Sequence, residues 1–425
     1  MLIWWCIIIL HYIERIFFIL TIVFIPFQDC GLRVISGYLG QFLSNIPMLF
    51  LFFTVSVKCF FCKFVYYKLL CKAIVVLTYI SLVSVIPIFA FYYDTFIFDT
   101  LLRNFFVNYC ITISKLFMLV YIIKKFQYKD RLYIKVAFII CFMGFLLCDV
   151  FEINIGGAFL HYSISIDGRP KGFSSESSFL GYTIIILGFL SAAYSDLLSR
   201  KILYISMAVA VLIFSTSKGA LFTFFVIICW YFWRIFSKKY IRLLFAIFIA
   251  GMVYSFGNIV FSYLTGTMDM YSTMSFTTRS SCMLAAILVF LDYPLGCGLG
   301  VFSVEALDHL PQAYDMINTF VGMDNLDLQE IMSMGLVGGS GLSAKSAILQ
   351  NLAYYGLIFV IVFVRYIYVL DKYFFNNKMY IFWGVGWYSV LSNLIFANNA
   401  LTYDTLIVWG ILWKLYCCKT NNWSY

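Results

Sequence analysis

Apolar stretches of about twenty residues recur along the chain, each closed by a short polar cluster. A membrane-crossing helix needs roughly that length of apolar sequence. About twelve segments qualify: 2–27, 38–57, 73–93, 104–123, 132–149, 178–197, 202–215, 219–234, 242–262, 346–366, 380–397 and 401–418. The seventh and eighth are short and meet at Ser215-Thr216-Ser217-Lys218-Gly219, which predicts a hairpin. The first carries Glu14 and Arg15, and no small-residue cleavage site follows it. It reads as a retained helix rather than a signal peptide, with both charges expected to pair inside the bundle.

Composition excludes the alternatives to a membrane protein. Of 425 residues, 63% are hydrophobic and only 12% charged. Soluble domains run about 45–50% apolar and about 25% charged, and could not hide so much apolar side chain. The fold class predicted is all-α and polytopic, a single integral membrane domain over 1–425. The net charge of +9 does not indicate a nucleic-acid partner, because the basic residues are scattered in short clusters. Most of the 13 cysteines sit in apolar runs as small hydrophobes, and Cys59 and Cys62 lack a second pair, so no metal site is expected.

The way the few charges are divided predicts an orientation. Alternate connections hold 19 of the 29 basic residues, from Lys58 through Lys124, Lys125, Arg234 and Lys372 to Lys419, against only Asp130, Asp196 and Asp371. The opposite connections hold 16 of the 20 acidic residues. Positively charged loops stay on the cytoplasmic side, so both termini are expected there. The two long connections, 150–177 and 263–345, then face outward, and any chemistry is expected in them.

Those outer loops hold the candidate residues. The first reads Arg169-Pro170-Lys171-Gly172-Phe173-Ser174-Ser175-Glu176-Ser177-Ser178, with two cations and a carboxylate at the mouth of a helix. An N-cap at Ser177 or Ser178, with Glu176 beside the positive helix end, is the alternative reading of that carboxylate. Ser217 and Lys218 occupy the predicted hairpin turn, where a lysine at membrane level calls for an anion unless the turn is simply solvated. In the large loop Arg279 precedes an apolar helix at 281–291, followed by Gly296-Cys297-Gly298-Leu299-Gly300. With no βαβ frame this is not a dinucleotide fingerprint, and it is expected as a flexible turn offering amides to an anion. His309 is a candidate general base, although a lone histidine is more often structural. The loop closes on Lys345-Ser346. Arg169, Lys171, Lys218, Arg279 and Lys345 together are expected to bind a polyanionic, membrane-borne head group, for which guanidinium and ammonium groups are natural clamps.

At these residues the sequence resembles the Wzy-type O-antigen polymerases and, more distantly, the O-antigen ligases. The pattern Arg169 through Gly181, the Ser-x-Ser-Lys-Gly turn, Arg279 ahead of the glycine run, and Lys345 to Gly356 carry the likeness, over roughly 150–366. The resemblance implies a type C glycosyltransferase-like architecture with about twelve helices and a large periplasmic loop, in the bacterial inner membrane. It implies a glycosyltransferase that joins undecaprenyl-pyrophosphate-linked repeat units at the periplasmic face for lipopolysaccharide O-antigen. No cofactor or metal is implied, and a chain-length regulator protein is the implied partner. Lysine at 345 stands where the ligases carry a histidine, which favours polymerase over ligase.

Arg169, Arg279 and Lys345 are assigned to leaving-group stabilisation, with Lys171 and Lys218 assisting. Glu176, or else His309, is assigned as general base. Ser217, Gly296, Gly298, Gly300 and Ser346 are expected to line the substrate. A flippase or transporter of the lipid-linked unit is the rival from another class, but it needs charged residues along a path through several helices, and the apolar segments carry few.

Overall fold

The computed structural model describes residues 2–28, 30, 42–61, 67–93, 95, 97–153, 170–174, 176–236, 238–247, 270–321, 343–395 and 402–420. These form helices: α1 Leu2–Val23, α2 Asn45–Phe61, α3 Tyr67–Tyr92, α4 Phe98–Lys125, α5 Arg131–Phe145, α6 Ser177–Ala193, α7 Leu198–Phe214 and α8 Lys218–Ile235. After a helical stretch at 239–247 come α9 Met270–Asp292, α10 Gly298–Val321, α11 Ala347–Val369, α12 Tyr380–Ile395 and α13 Tyr403–Thr420. One isolated bridge, Gln28 to Phe42, is the extended pairing among the described residues. The chain is an all-α polytopic membrane protein.

Five described stretches are by themselves long and apolar enough to cross a bilayer: Val75–Tyr92, Phe98–Lys125, Tyr128–Val150, Lys218–Ile235 and Ala347–Phe374. Shorter apolar helices, among them Ser177–Ala193, pack with them. Most of the expected segment 242–262 lies outside the described residues.

Helix α6 is the centre of the main bundle. It is buried on every face, from Phe179 and Leu180 to Ala192, as a helix apolar all round must be. Around it α1, α2, α4, α5, α7, α8, α11, α12 and α13 share one continuous core. Gly188 lets α7 close on α6, since a Cβ there would stand 2.6 Å from Ala208 Cβ. The charges of α1 are paired as expected. Glu14 accepts from Lys58 at 2.7 Å and from the Tyr121 hydroxyl at 2.7 Å, and Arg15 meets the buried Asp130.

The long connection after 263 differs from the single short helix expected within it. Its described part is two long helices, α9 and α10, joined by the turn 293–297 and carrying their own core of Cys282, Ala285, Ala286, Val289, Phe302, Ala306 and Ala313. That turn is wedged among α3, α4 and α11. The Tyr79 hydroxyl donates to Leu295 O (2.8 Å) and Tyr355 O (3.0 Å), and Asn108 donates to Leu299 O (3.1 Å). Tyr79, Ser84 and Asn108 are central positions of α3 and α4, so α10 starts halfway along two candidate spans. Backbone that leaves the helical ladder at such depth must be satisfied by protein.

Candidate active site

Three helices begin at one end of the bundle, here the upper end, around the first turns of α6. The N-cap of α6 is Glu176 itself, in extended conformation and exposed. Its Oε2 accepts from Ser178 Oγ at 3.2 Å. The N-cap of α8 is Ser217, whose hydroxyl accepts from Ala220 N at 3.4 Å. The N-cap of α11 is Ser346, accepting from Leu349 N at 3.3 Å. Helix N-termini present unpaired N–H groups and the positive end of the dipole, a ready anion site.

Close packing brings the first two together. A Cβ on Gly181 would stand 3.1 Å from Ala220 Cβ and 3.3 Å from Ser215 Oγ, so the turn 215–217 lies directly on α6. Thr216 takes a left-handed φ of 52° to make that turn, and Lys218 is exposed at the start of α8. The predicted hairpin connection is therefore present.

A buried polar network joins α6 to the third. Ser346 Oγ donates to Asn393 O at 3.2 Å. Asn393 Nδ2 donates to the Tyr182 hydroxyl (2.9 Å) and to Thr405 Oγ1 (3.0 Å). Tyr182 also meets Thr405 Oγ1 (2.5 Å) and Ser389 Oγ (3.2 Å), and Trp409 Nε1 donates to the same serine (3.1 Å). Beside it Thr183 donates to Asp404 Oδ2 (2.8 Å) and accepts from Gln28 (3.3 Å). A connected network of this kind ties helices into one arrangement, because each unmade bond in it is costly. Lys345, immediately before Ser346, holds a left-handed φ of 52°.

Sequence reasoning did not single out this network. Its one signal was polar residues within or at the ends of apolar segments: Tyr182 and Thr183, Ser389 and Asn393, and Thr402 to Thr405.

The loop before α6 is fixed by a carboxylate. Asp149, in the π-helical turn Leu146–Val150 that ends α5, accepts from the backbone N–H groups of Lys171 (3.2 Å) and Gly172 (2.6 Å). Gly172 has φ 54°, and Phe173 covers Gly144 and stacks on Phe27 at 4.8 Å between ring centroids. Lys171 is buried. Arg169 lies outside the described residues.

Arg279 lies on α9, one turn before Cys282, which shares a core cluster with Ala344 beside Lys345. Its neighbours Thr277, Thr278 and Ser281 are buried. His309 Nε2 sits 3.0 Å from Asp292 Oδ2, a carboxylate at the end of α9. Close by, Glu305 accepts from the hydroxyls of Tyr92 (2.6 Å) and Tyr293 (2.8 Å). Desolvation, then the Glu305 carboxylate, pushes the Asp308 carboxyl above its usual range, while His309 opposes them.

The glycine run is not the flexible, amide-offering turn expected. All three glycines are buried against backbone. A Cβ on Gly298 would stand 2.3 Å from Ser84 Cα, on Gly300 2.9 Å from Leu101 O, and on Gly296 2.4 Å from Tyr354 O. Nearby amides are already used: Gly296 N donates to Tyr293 O (2.8 Å), Cys297 N to Ala353 O (2.9 Å) and Leu299 N to Ser84 Oγ (3.0 Å). The partner feature is Gly356, which interrupts α11 at φ 58°, ψ −144° and lets Leu357 N bond Pro294 O at 2.9 Å. Glycine is required at both contacts because backbone meets backbone.

Comparison with known proteins finds matches over part of the chain. Residues 202–343 match the family model described as O-antigen ligase, a window from α7 to just short of Lys345. It contains Ser217, Lys218, Arg279, the glycine run and His309. A Klebsiella pneumoniae protein, described as an uncharacterized 49.5 kDa protein in the cps region, is 28% identical over 243 residues, covering 56% of this chain and 54% of that protein. The chain thus spans about half the length of the curated relative it matches. The resemblance to the O-antigen polymerase and ligase superfamily holds over the matched segment.

Proposed function

We propose that this protein is an O-antigen polymerase of the bacterial inner membrane. It joins undecaprenyl-pyrophosphate-linked oligosaccharide units at the periplasmic face. One observation carries this reading: the N-termini of α6, α8 and α11 gather at one end, with Lys171, Lys218 and Lys345 beside them. That is the electrostatics a departing pyrophosphate needs, and the family match over 202–343 supports sugar-polymer chemistry for it.

In the proposed step a sugar hydroxyl of the incoming unit attacks the anomeric carbon of the donor glycan. The bond from that carbon to the pyrophosphate oxygen breaks, and undecaprenyl pyrophosphate leaves with the bonding electrons. Glu176, exposed at the head of α6, takes the hydroxyl proton. Arg169, Arg279 and Lys345 stabilise the developing charge, with Lys171 and Lys218 assisting. Ser217 and Ser346 shape the site as caps of α8 and α11, while the glycines 296, 298 and 300 position α10. His309, engaged with Asp292, is the second candidate base. A separate chain-length regulator would act on the assembled polymer.

The ligase reading, with lipid A core as acceptor, draws support from the description of the matched family. Glycan profiles of a deletion strain complemented with wild type, Arg279→Ala or Lys345→Ala decide between them. A single repeat unit on core supports the polymerase. Bare core with accumulating lipid-linked polymer supports the ligase. Full-length polymer from both variants at normal expression refutes the assignment of these cations.

A further inference from the structure

The opposite end of the bundle holds a shallow cavity, open at the surface, that the proposed chemistry does not use. It has a volume of about 290 Å³ and lies between the last turns of α11 and α13. Tyr368, Lys372, Tyr373, Asn376, Asn377 and Tyr416 line it. We propose that this cavity seats the phosphate-bearing head group of an anionic phospholipid.

Its lining is suited to a phosphate. Lys372 lies within it, donating to the Tyr368 hydroxyl at 3.0 Å with its ammonium 4.7 Å from that ring centroid. Asn376 and Asn377 are exposed, and Asn377 Nδ2 donates to Tyr373 O at 2.7 Å. No carboxylate is among the described residues that line it. The adjacent acid, Asp371, is held instead by Arg234 and accepts from Trp383 Nε1 at 3.3 Å. Lys372 is therefore not neutralised by its neighbour. A second cation, Arg365, lies two turns earlier on the same helix, over the Trp413 ring at 5.8 Å.

The size and surroundings favour a lipid. Small-molecule sites run roughly 300–1,000 Å³, so this cavity admits a head group and leaves the acyl chains outside. They have a path, because the stripe through Lys372, Tyr368 and Arg365 continues to Ile361, which is 68% exposed. Tyrosine and tryptophan beside lysine and arginine mark the membrane–water boundary, where basic pockets between helices take anionic head groups.

The test uses the full-length protein, purified in detergent and stripped of lipid, with bound lipid counted by native mass spectrometry. Wild type should retain one dioleoylphosphatidylglycerol at least tenfold more tightly than Lys372→Ala/Asn376→Ala. The exposed-surface control Lys238→Ala should match wild type. Lys372→Glu, a substitution at an exposed position, should lose the lipid as the double variant does. Dioleoylglycerol, which lacks the phosphate, should not be retained, and glycerol 3-phosphate at equal concentration should not displace the lipid. Equal retention by the double variant or by Lys372→Glu overturns the proposal, as does equal retention of dioleoylglycerol. Displacement by glycerol 3-phosphate overturns the lipid assignment in favour of a soluble phosphate.

Discussion

Replacing Gly356 by alanine tests how the α9–α10 pair is anchored. The new methyl would stand 2.2 Å from Pro294 O, 2.4 Å from Leu295 C and 2.6 Å from Gly296 N, all of them backbone atoms. The backbone at φ 58°, ψ −144° is itself almost closed to a residue with a side chain, at a cost of about 1–3 kcal/mol. Alanine relieves both problems by returning α11 to helical geometry. Leu357 N then leaves Pro294 O, and the turn 293–297 loses its seat. That relief loses the bonds from Leu357 N to Pro294 O and from Cys297 N to Ala353 O, at about 1 kcal/mol each, so the docked turn should weaken by roughly 2 kcal/mol. At about 1.4 kcal/mol per factor of ten, that is on the order of thirtyfold more open state. Cys297, fully buried in this turn, reports it directly. Peptide-level mass spectrometry after maleimide treatment of the detergent-purified protein should show Cys297 labelling about thirtyfold faster in the variant than in wild type. Cys141, buried in the main bundle, should stay protected in both. Unchanged Cys297 labelling in a folded variant would refute the reasoning.

Three further outcomes follow from the same geometry. Tyr182→Phe removes the hydroxyl shared by Asn393, Thr405 and Ser389, and should lower stability by about 1–3 kcal/mol, read as a drop in the midpoint of thermal unfolding in detergent. Asp149→Asn removes a charged acceptor from the amides of Lys171 and Gly172. It should speed hydrogen exchange at 171–174 while amides of α12 exchange as before; unchanged exchange at 171–174 would contradict the role given to that carboxylate. On the proposed polymerase reading, Glu176→Gln should abolish polymer formation and His309→Gln only reduce it, measured as O-antigen chain length in a complemented deletion strain. The reverse order would transfer the base role to His309 and its partner Asp292.

Glu305 is shared by two tyrosines, one from α3 and one from the turn, so it fastens α10 to α3 at that level. Its burden on Asp308 follows from that placement, since the two carboxylates are one helical turn apart.

Much of this protein follows from local rules that the sequence states on its own. Long apolar runs must become helices in a bilayer, because no other segment there can satisfy its backbone. The helices, the turn at Ser215 to Ser217 and the pairing of Glu14 are legible in that way. What tertiary structure decided concerns partners far apart in the chain. Gly296, Gly298 and Gly300 read as a flexible turn, and only the placement of Tyr354, Ser84 and Leu101 against them shows close packing instead. Asn393, Thr405 and Tyr182 read as isolated polar residues until α6, α12 and α13 are side by side. A periodic pattern specifies which face of a helix is apolar, but the identity of the neighbour depends on packing among all the helices at once. Only that packing sets the caps of α6, α8 and α11 around one end of the bundle.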